Sequence, residues 1–275
     1  NGVQAIKNMT IPTSSKTKND ANSDLDTTAA AAKKAIDETS GLTEDQKKTA
    51  KDQIDQAVAG AKENIKNASD NTGVAGATDA GKLAIDKVSA KAAIDGALAE
   101  KNNSIDDAPN LTDEEKQAVK DQANKAADSA KTAISNASTV TAVESAQTNG
   151  VQAIKNMTIP TSSKTKNDAN SDLDTTAAAA KKAIDETSGL TEDQKKTAKD
   201  QIDQAVAGAK ENIKNASDNT GVAGATDAGK LAIDKVSAKA AIDGALAEKN
   251  NSIDDAPNLT DEEKQAVKDQ ANKAA

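Results

Sequence analysis

An all-α fold of tandem three-helix bundles, joined end to end into an elongated rod, is what this sequence predicts. Three observations carry the prediction. Residues 1–127 recur without a substitution as residues 149–275, a shift of 148, and long-period repetition is the mark of stacked arrays. Apolar residues return at spacings of three and four, the period of a helix. Finally, Thr-Glu-Asp-Gln at Thr43 and Thr-Asp-Glu-Glu at Thr112 are both capping boxes, with acidic residues in the first turn where the helix dipole favours them.

A weaker repeat lies inside the first. GLTEDQKKTAKDQI (residues 41–54) aligns with NLTDEEKQAVKDQA (residues 110–123) at a shift of 69, and Leu111 returns as Leu190 at a shift of 79. Two related modules, A and B, therefore alternate, with ten extra residues at each B-to-A joint. The expected organisation is the end of a preceding B module over 1–12, module A over 13–88 and module B over 89–160. The A copy then spans 161–236 and a truncated B copy 237–275.

Within module A the first helix is expected from Ser15 to Thr39, with Ala21, Leu25, Ala29, Ala32 and Ile36 on one face. The second opens at Thr43 and carries Ala50, Ile54, Ala57, Ala61, Ile65 and Ala68 as a narrow seam. Asn71-Thr72-Gly73 suits its end. The third helix carries Val74, Ala77, Gly81, Ile85 and Val88. Nothing breaks it at Val88-Ser89-Ala90, so it runs on as the first helix of module B with Ala90, Ile94, Leu98 and Ile105. At about 100° per residue the two stripes lie roughly 135° apart around the axis. One helix is thus expected to serve two bundles at each A-to-B joint. The B-to-A joint contains Ile159-Pro160, and proline disfavours helix at the residue before it. A bend is expected there, and likewise at Pro12. Pro109 and Pro257 fall between first and second helices, where the chain must reverse.

Composition narrows the chemistry. Cys, His, Trp, Tyr and Phe are absent and every basic residue is Lys. Disulfides, thiolate nucleophiles, zinc sites and imidazole bases are excluded, as are aromatic platforms for bases or sugars. A net charge of −9 with no Arg leaves no footprint for nucleic acid. No apolar run of about 20 residues is present, so no membrane insertion is expected. The sequence begins and ends inside repeat units and shows no signal peptide, so the expectation is a fragment of a longer chain.

Candidate motifs dissolve on inspection. Asp106-Asp107 and Asp254-Asp255 lack the spaced oxygen ligands of a calcium loop. Gly73-Val74-Ala75-Gly76 follows a helix, not a strand, and lacks the Gly-Lys-Ser/Thr ending of a phosphate loop. The triplets at Asn8, Asn67 and Asn110 match a glycosylation pattern that chance supplies often in a chain rich in Asn, Ser and Thr. Lys33, Lys34, Lys47 and Lys48 read as solvated rather than as a binding patch. No catalytic, cofactor-binding or metal residue is expected, and no cofactor.

The segment AKAAIDGALAEKNNSIDDAPNLTDEEKQAVKDQANKAADSAKTAISNAS, residues 90–138, resembles the tandem helical repeat of unassigned function found in wall-anchored surface proteins of Gram-positive bacteria. Arrays like those of staphylococcal surface protein C and the methicillin-resistance surface proteins carry it. Module A looks like a diverged sister, opening on Ala-Asn-Ser-Asp-Leu-Asp-Thr-Thr and with Ser-Gly in place of Ala-Pro. The giant matrix-binding surface proteins are a more distant likeness. The resemblance implies an extracellular, cell-wall-attached array, and no catalytic residues. The expected role is a stalk that projects an adhesive head. The alternative is adhesion or cell–cell aggregation by the repeats themselves. Adjacent repeats of the same chain are the expected partners, with a host matrix protein or like arrays on other cells as further ones.

Overall fold

The computed structural model describes residues 2–10 and 14–275. Those residues form ten α-helices and no strand: α1 (Gly2–Lys7), α2 (Lys16–Glu38), α3 (Glu44–Asn67), α4 (Asn71–Asp106) and α5 (Asp113–Asn136), followed by α6 (Val140–Lys155), α7 (Lys164–Glu186), α8 (Glu192–Asn215), α9 (Asn219–Asp254) and α10 (Asp261–Ala274). The chain divides into two compact units. Asn1–Ala108 with Ala118–Ile159 forms the first, and Pro109–Gln117 with Pro160–Ala275 the second.

The first unit holds two cores on one uninterrupted helix. Leu25 and Ile36 of α2, Ile54 and Ile65 of α3, and Val74 and Ile85 of α4 make the first. Ala90 and Ile94 of α4 join Ala127 and Ile134 of α5 and Val143 and Ile154 of α6 in the second. The switch of face falls where the sequence places it. Val88 and Ala92 pack on the first core, while Ala90 and Ile94 face the second. At 36 residues the helix is about 54 Å long. Gly81 is what lets α4 approach its neighbours: a Cβ there would sit 2.5 Å from the Ala61 methyl and 2.9 Å from Leu25.

The second unit repeats the first of these cores in α7, α8 and α9, with Leu173, Ile202, Ile213 and Ile233 buried. α10 packs against α9.

Capping behaves as the sequence requires. Thr43 accepts from the Gln46 amide at 3.2 Å and its own amide donates to the Gln46 side chain at 2.8 Å. Thr112 and Glu115 close the same ring at 3.3 and 3.1 Å. One boundary is corrected. α3 ends at Asn67 with Ala68 as its C-cap, so Asn71-Thr72-Gly73 does not terminate it and is instead the first turn of α4. The reason is Asp70, an N-cap whose carboxylate accepts from Gly73 N at 2.7 Å. The α3 face is also broader than a strict seam, since Val58 is buried while Ala50 and Ala57 are only partly so. Pro160 lies in the non-helical stretch between α6 and α7. Pro12 lies outside the described residues.

Candidate functional site

Besides the ion pairs along the helix faces, polar side chains make specific contacts where helices turn. In the first unit the α2–α3 turn presses on the middle of α4. Gly41 adopts φ +82°, a backbone conformation that L side chains rarely take. A Cβ on it would also lie 2.5 Å from the Gly96 carbonyl oxygen. Beside it the Ser40 hydroxyl donates to the Glu100 carboxylate. That hydrogen bond is the largest influence on the Glu100 carboxyl; burial opposes it, Lys155 adds to it, and the carboxyl is held below its ordinary value. Lys155 stands 3.5 Å from Glu100. Lys101 then ties down the end of α6, its ammonium donating to the carbonyls of Lys155 and Met157 at 2.8 Å each.

Within the second unit, the acidic turn at residues 111–115 is sealed against the starts of α7 and α9. The Glu115 carboxylate accepts from Thr165 N at 3.0 Å, and Glu114 accepts from Asn219 N at 2.9 Å. Asp113 N donates to the Ser217 carbonyl at 2.9 Å, and the Asn110 side chain donates to the Thr161 carbonyl at 3.0 Å. Partial burial is the largest influence on Glu115 and opposes its charge. Hydrogen bonds from Thr165, Ser163 and Thr112 together outweigh it, so the carboxyl titrates below its ordinary value.

The exact repeat supplies an internal control. Ser163 is buried in this seal, whereas its counterpart Ser15, in the same sequence, is exposed. Leu111 is 4% exposed and its counterpart Leu259 is 39%. Surroundings, not sequence, make the difference.

The lysines read as solvated are engaged in ion pairs. Lys33 reaches Asp55 of the neighbouring helix at 2.5 Å, Lys34 stands 3.7 Å from Glu38, Lys47 3.3 Å from Glu44, and Lys48 2.6 Å from Asp52. Exposed pairs of this kind contribute about 0–1 kcal/mol each, so they are not a large source of stability. Asp106 pairs with Lys120 at 2.6 Å, and Asp107 is the C-cap of α4. Among the described residues no group of three or more acidic side chains is placed to hold a metal. Each A module carries a shallow groove of about 260–280 Å³ floored by Leu42, Ala50, Val88 and Ala92 or their repeats. Its rim of Asp45, Lys91 and Asp95 assembles no nucleophile with a base.

The family model described as Domain of Unknown Function (DUF1542) matches residues 17–89, 86–162, 165–239 and 234–275. The chain belongs to the DUF1542 family. Successive DUF1542 matches overlap inside α4 and inside α9, and in α4 that overlap lies where one helix passes from the first core to the second. Curated relatives include the extracellular matrix-binding protein EbhA of Staphylococcus aureus strain Newman, 32% identical over 253 residues and covering 86% of this chain. Extracellular matrix-binding protein ebh of strain NCTC 8325 / PS 47 matches to the same extent. The chain spans 7% and 3% of those two proteins. A crystal structure of the 756–1003 domain of EbhA from the same species is 21% identical, covering 92% of this chain and 93% of that one at a TM-score of 0.33.

Proposed function

We propose that these DUF1542 repeats are a structural spacer of a bacterial surface adhesin, held outside the cell by the wall and carrying a binding head away from it. The observation that carries the reading is α4, one helix whose two faces belong to two different cores. A module built this way has no independent edge at that joint, because its last helix is the next module's first. Stacked repeats of such units depend on their neighbours for stability. The shallow grooves and the absence of aromatic and Arg side chains support the same reading, since interfaces rely on such anchors. No catalytic, cofactor or metal role is assigned to any residue.

Small-angle scattering of chains carrying two and four modules tests the spacer. The maximum dimension is expected to grow by about 39 Å per added module, the length of a helix of about 26 residues. A dimension that stays constant while mass doubles rejects it.

A second reading is favoured by the names of the relatives, which are extracellular matrix-binding proteins. Here the repeats themselves hold a matrix protein or a like array through many weak contacts, and avidity multiplies them. Aggregation of cells displaying this array with no other domain attached separates the two readings. The spacer predicts none.

A further inference from the structure

The second unit is not one continuous length of chain. It is built from residues 160–275 and from a short stretch, Pro109–Gln117, whose flanking residues Ala108 and Ala118 both belong to the first unit. That stretch is therefore a loop anchored at both ends, by α4 and by the body of α5, and seated in the second unit. Leu111 is 4% exposed there and Thr112 is fully buried. The carboxylates of Glu115 and Glu114 take the amides of Thr165 and Asn219. Both amides lie in the first turns of α7 and α9, where a helix has no partner of its own to offer. The Asn110 side chain adds its bond to the Thr161 carbonyl.

The corresponding turn of module A lacks all three of these side chains. Gly41 stands at the position of Asn110, Asp45 at that of Glu114 and Gln46 at that of Glu115. It is engaged elsewhere, since Gly41 and Ser40 press on Gly96 and Glu100 of α4. The two turns thus have different partners, and the three substitutions are the ones that touch the second unit. The covalent route into that unit is the non-helical stretch between α6 and α7, where Thr158, Pro160, Thr161 and Ser162 are exposed.

We propose that Pro109–Gln117 is a clasp, which holds residues 160–275 to the rest of the chain independently of the covalent joint between α6 and α7. A proteolytic cut at that exposed joint then leaves the array connected. Anchorage at both ends leaves the clasp little conformational freedom to lose on docking, which favours binding. A stretch this short covers less than the roughly 1,200 Å² of a stable interface. The two pieces of a cut chain are therefore expected to hold with a dissociation constant of about 10–100 µM, the scale of weak contacts. The inference stands apart from the spacer reading and does not rest on it.

A site-specific protease sequence inserted between Thr158 and Ile159 of the full chain tests it. After cutting, sedimentation between about 1 µM and 1 mM, a range bracketing such constants, should show the two pieces recombining to the mass of the uncut chain. Asn110→Ala combined with Glu114→Ala should weaken that association by about tenfold or more, the scale of losing one neutral and one charged hydrogen bond. Both residues are exposed and neither belongs to the Thr112–Glu115 ring, so circular dichroism should show unchanged helix content. Wild-type pieces that stay apart at the top of the concentration range overturn the proposal. So does an association that the double substitution leaves unchanged.

Discussion

Two glycines in the first A module show how closely side-chain volume is set. Gly81 faces Ala61 and Leu25 across an interhelical contact too short for a methyl group, whereas Gly60 has nothing within 4 Å of where its Cβ would be. Gly81→Ala is expected to cost about 1–3 kcal/mol, the usual penalty for overpacking. Gly60→Ala should stabilise by about 0.5–1 kcal/mol, since glycine inside a helix is the worse choice when no contact requires it. Urea denaturation of the two variants checks both signs in one experiment. Gly81 was legible beforehand as a member of an apolar stripe. The approach of Gly96 to Gly41 was not, because it joins residues distant in sequence and leaves no local pattern.

At the level of the helix, most ends decided by neighbouring residues were readable, and the start of α4 was the exception. Ser15 and Thr39 bound α2, and the threonine capping boxes open α3 and α5, because each is decided within four residues. Asn71-Thr72-Gly73 was misread as an exit because Asn and Gly favour helix ends generally. The Asp70 carboxylate, one residue upstream, makes it an entrance. Glu115 looked like half of a capping box and is also a link to the start of α7. Its second role can be tested by titration. A carboxyl depressed in the folded state stabilises above its ordinary value, 4.5 for Glu115, and that contribution drains away as pH falls through the folded value. The melting temperature of the wild type should therefore fall more steeply below about pH 4.5 than that of Glu115→Gln. Asp86 runs the other way. Burial first, and the Glu144 charge second, raise its pKa above the ordinary 3.8, so its contribution is complete below that value and is lost as pH rises. Asp86→Asn should raise the melting temperature at pH 7 and leave it unchanged near pH 3, below both values.

For the molecule as a whole, the repeat and the doubled helix were legible because sequence identity and apolar period are global signals. The seal around residues 111–115 was not, since nothing in the LTDEE sequence tells whether a neighbour covers it. The same letters stand bare at Leu259. The ladder of Lys–Asp pairs between helices, among them Lys51–Asp37 and Lys62–Asp26 at 2.6 Å, is a whole-surface feature with a measurable limit. At 1 M salt the screening length shrinks to about 3 Å and exposed pairs lose most of their small worth. The melting temperature is expected to drop by only a few degrees, which calorimetry at two salt concentrations would read directly. A collapse of helix content would mean that charge, rather than the aliphatic cores, holds the bundles together.

The 36-residue run of α4 also sets a mechanical scale. Drawn out to full extension at about 3.4 Å per residue, it would lengthen from about 54 Å to about 120 Å. It would surrender both cores as it went, because neither has a backbone of its own at that point. Under tension a helix of this kind is expected to uncoil before any covalent bond is strained, adding slack of more than its own resting length.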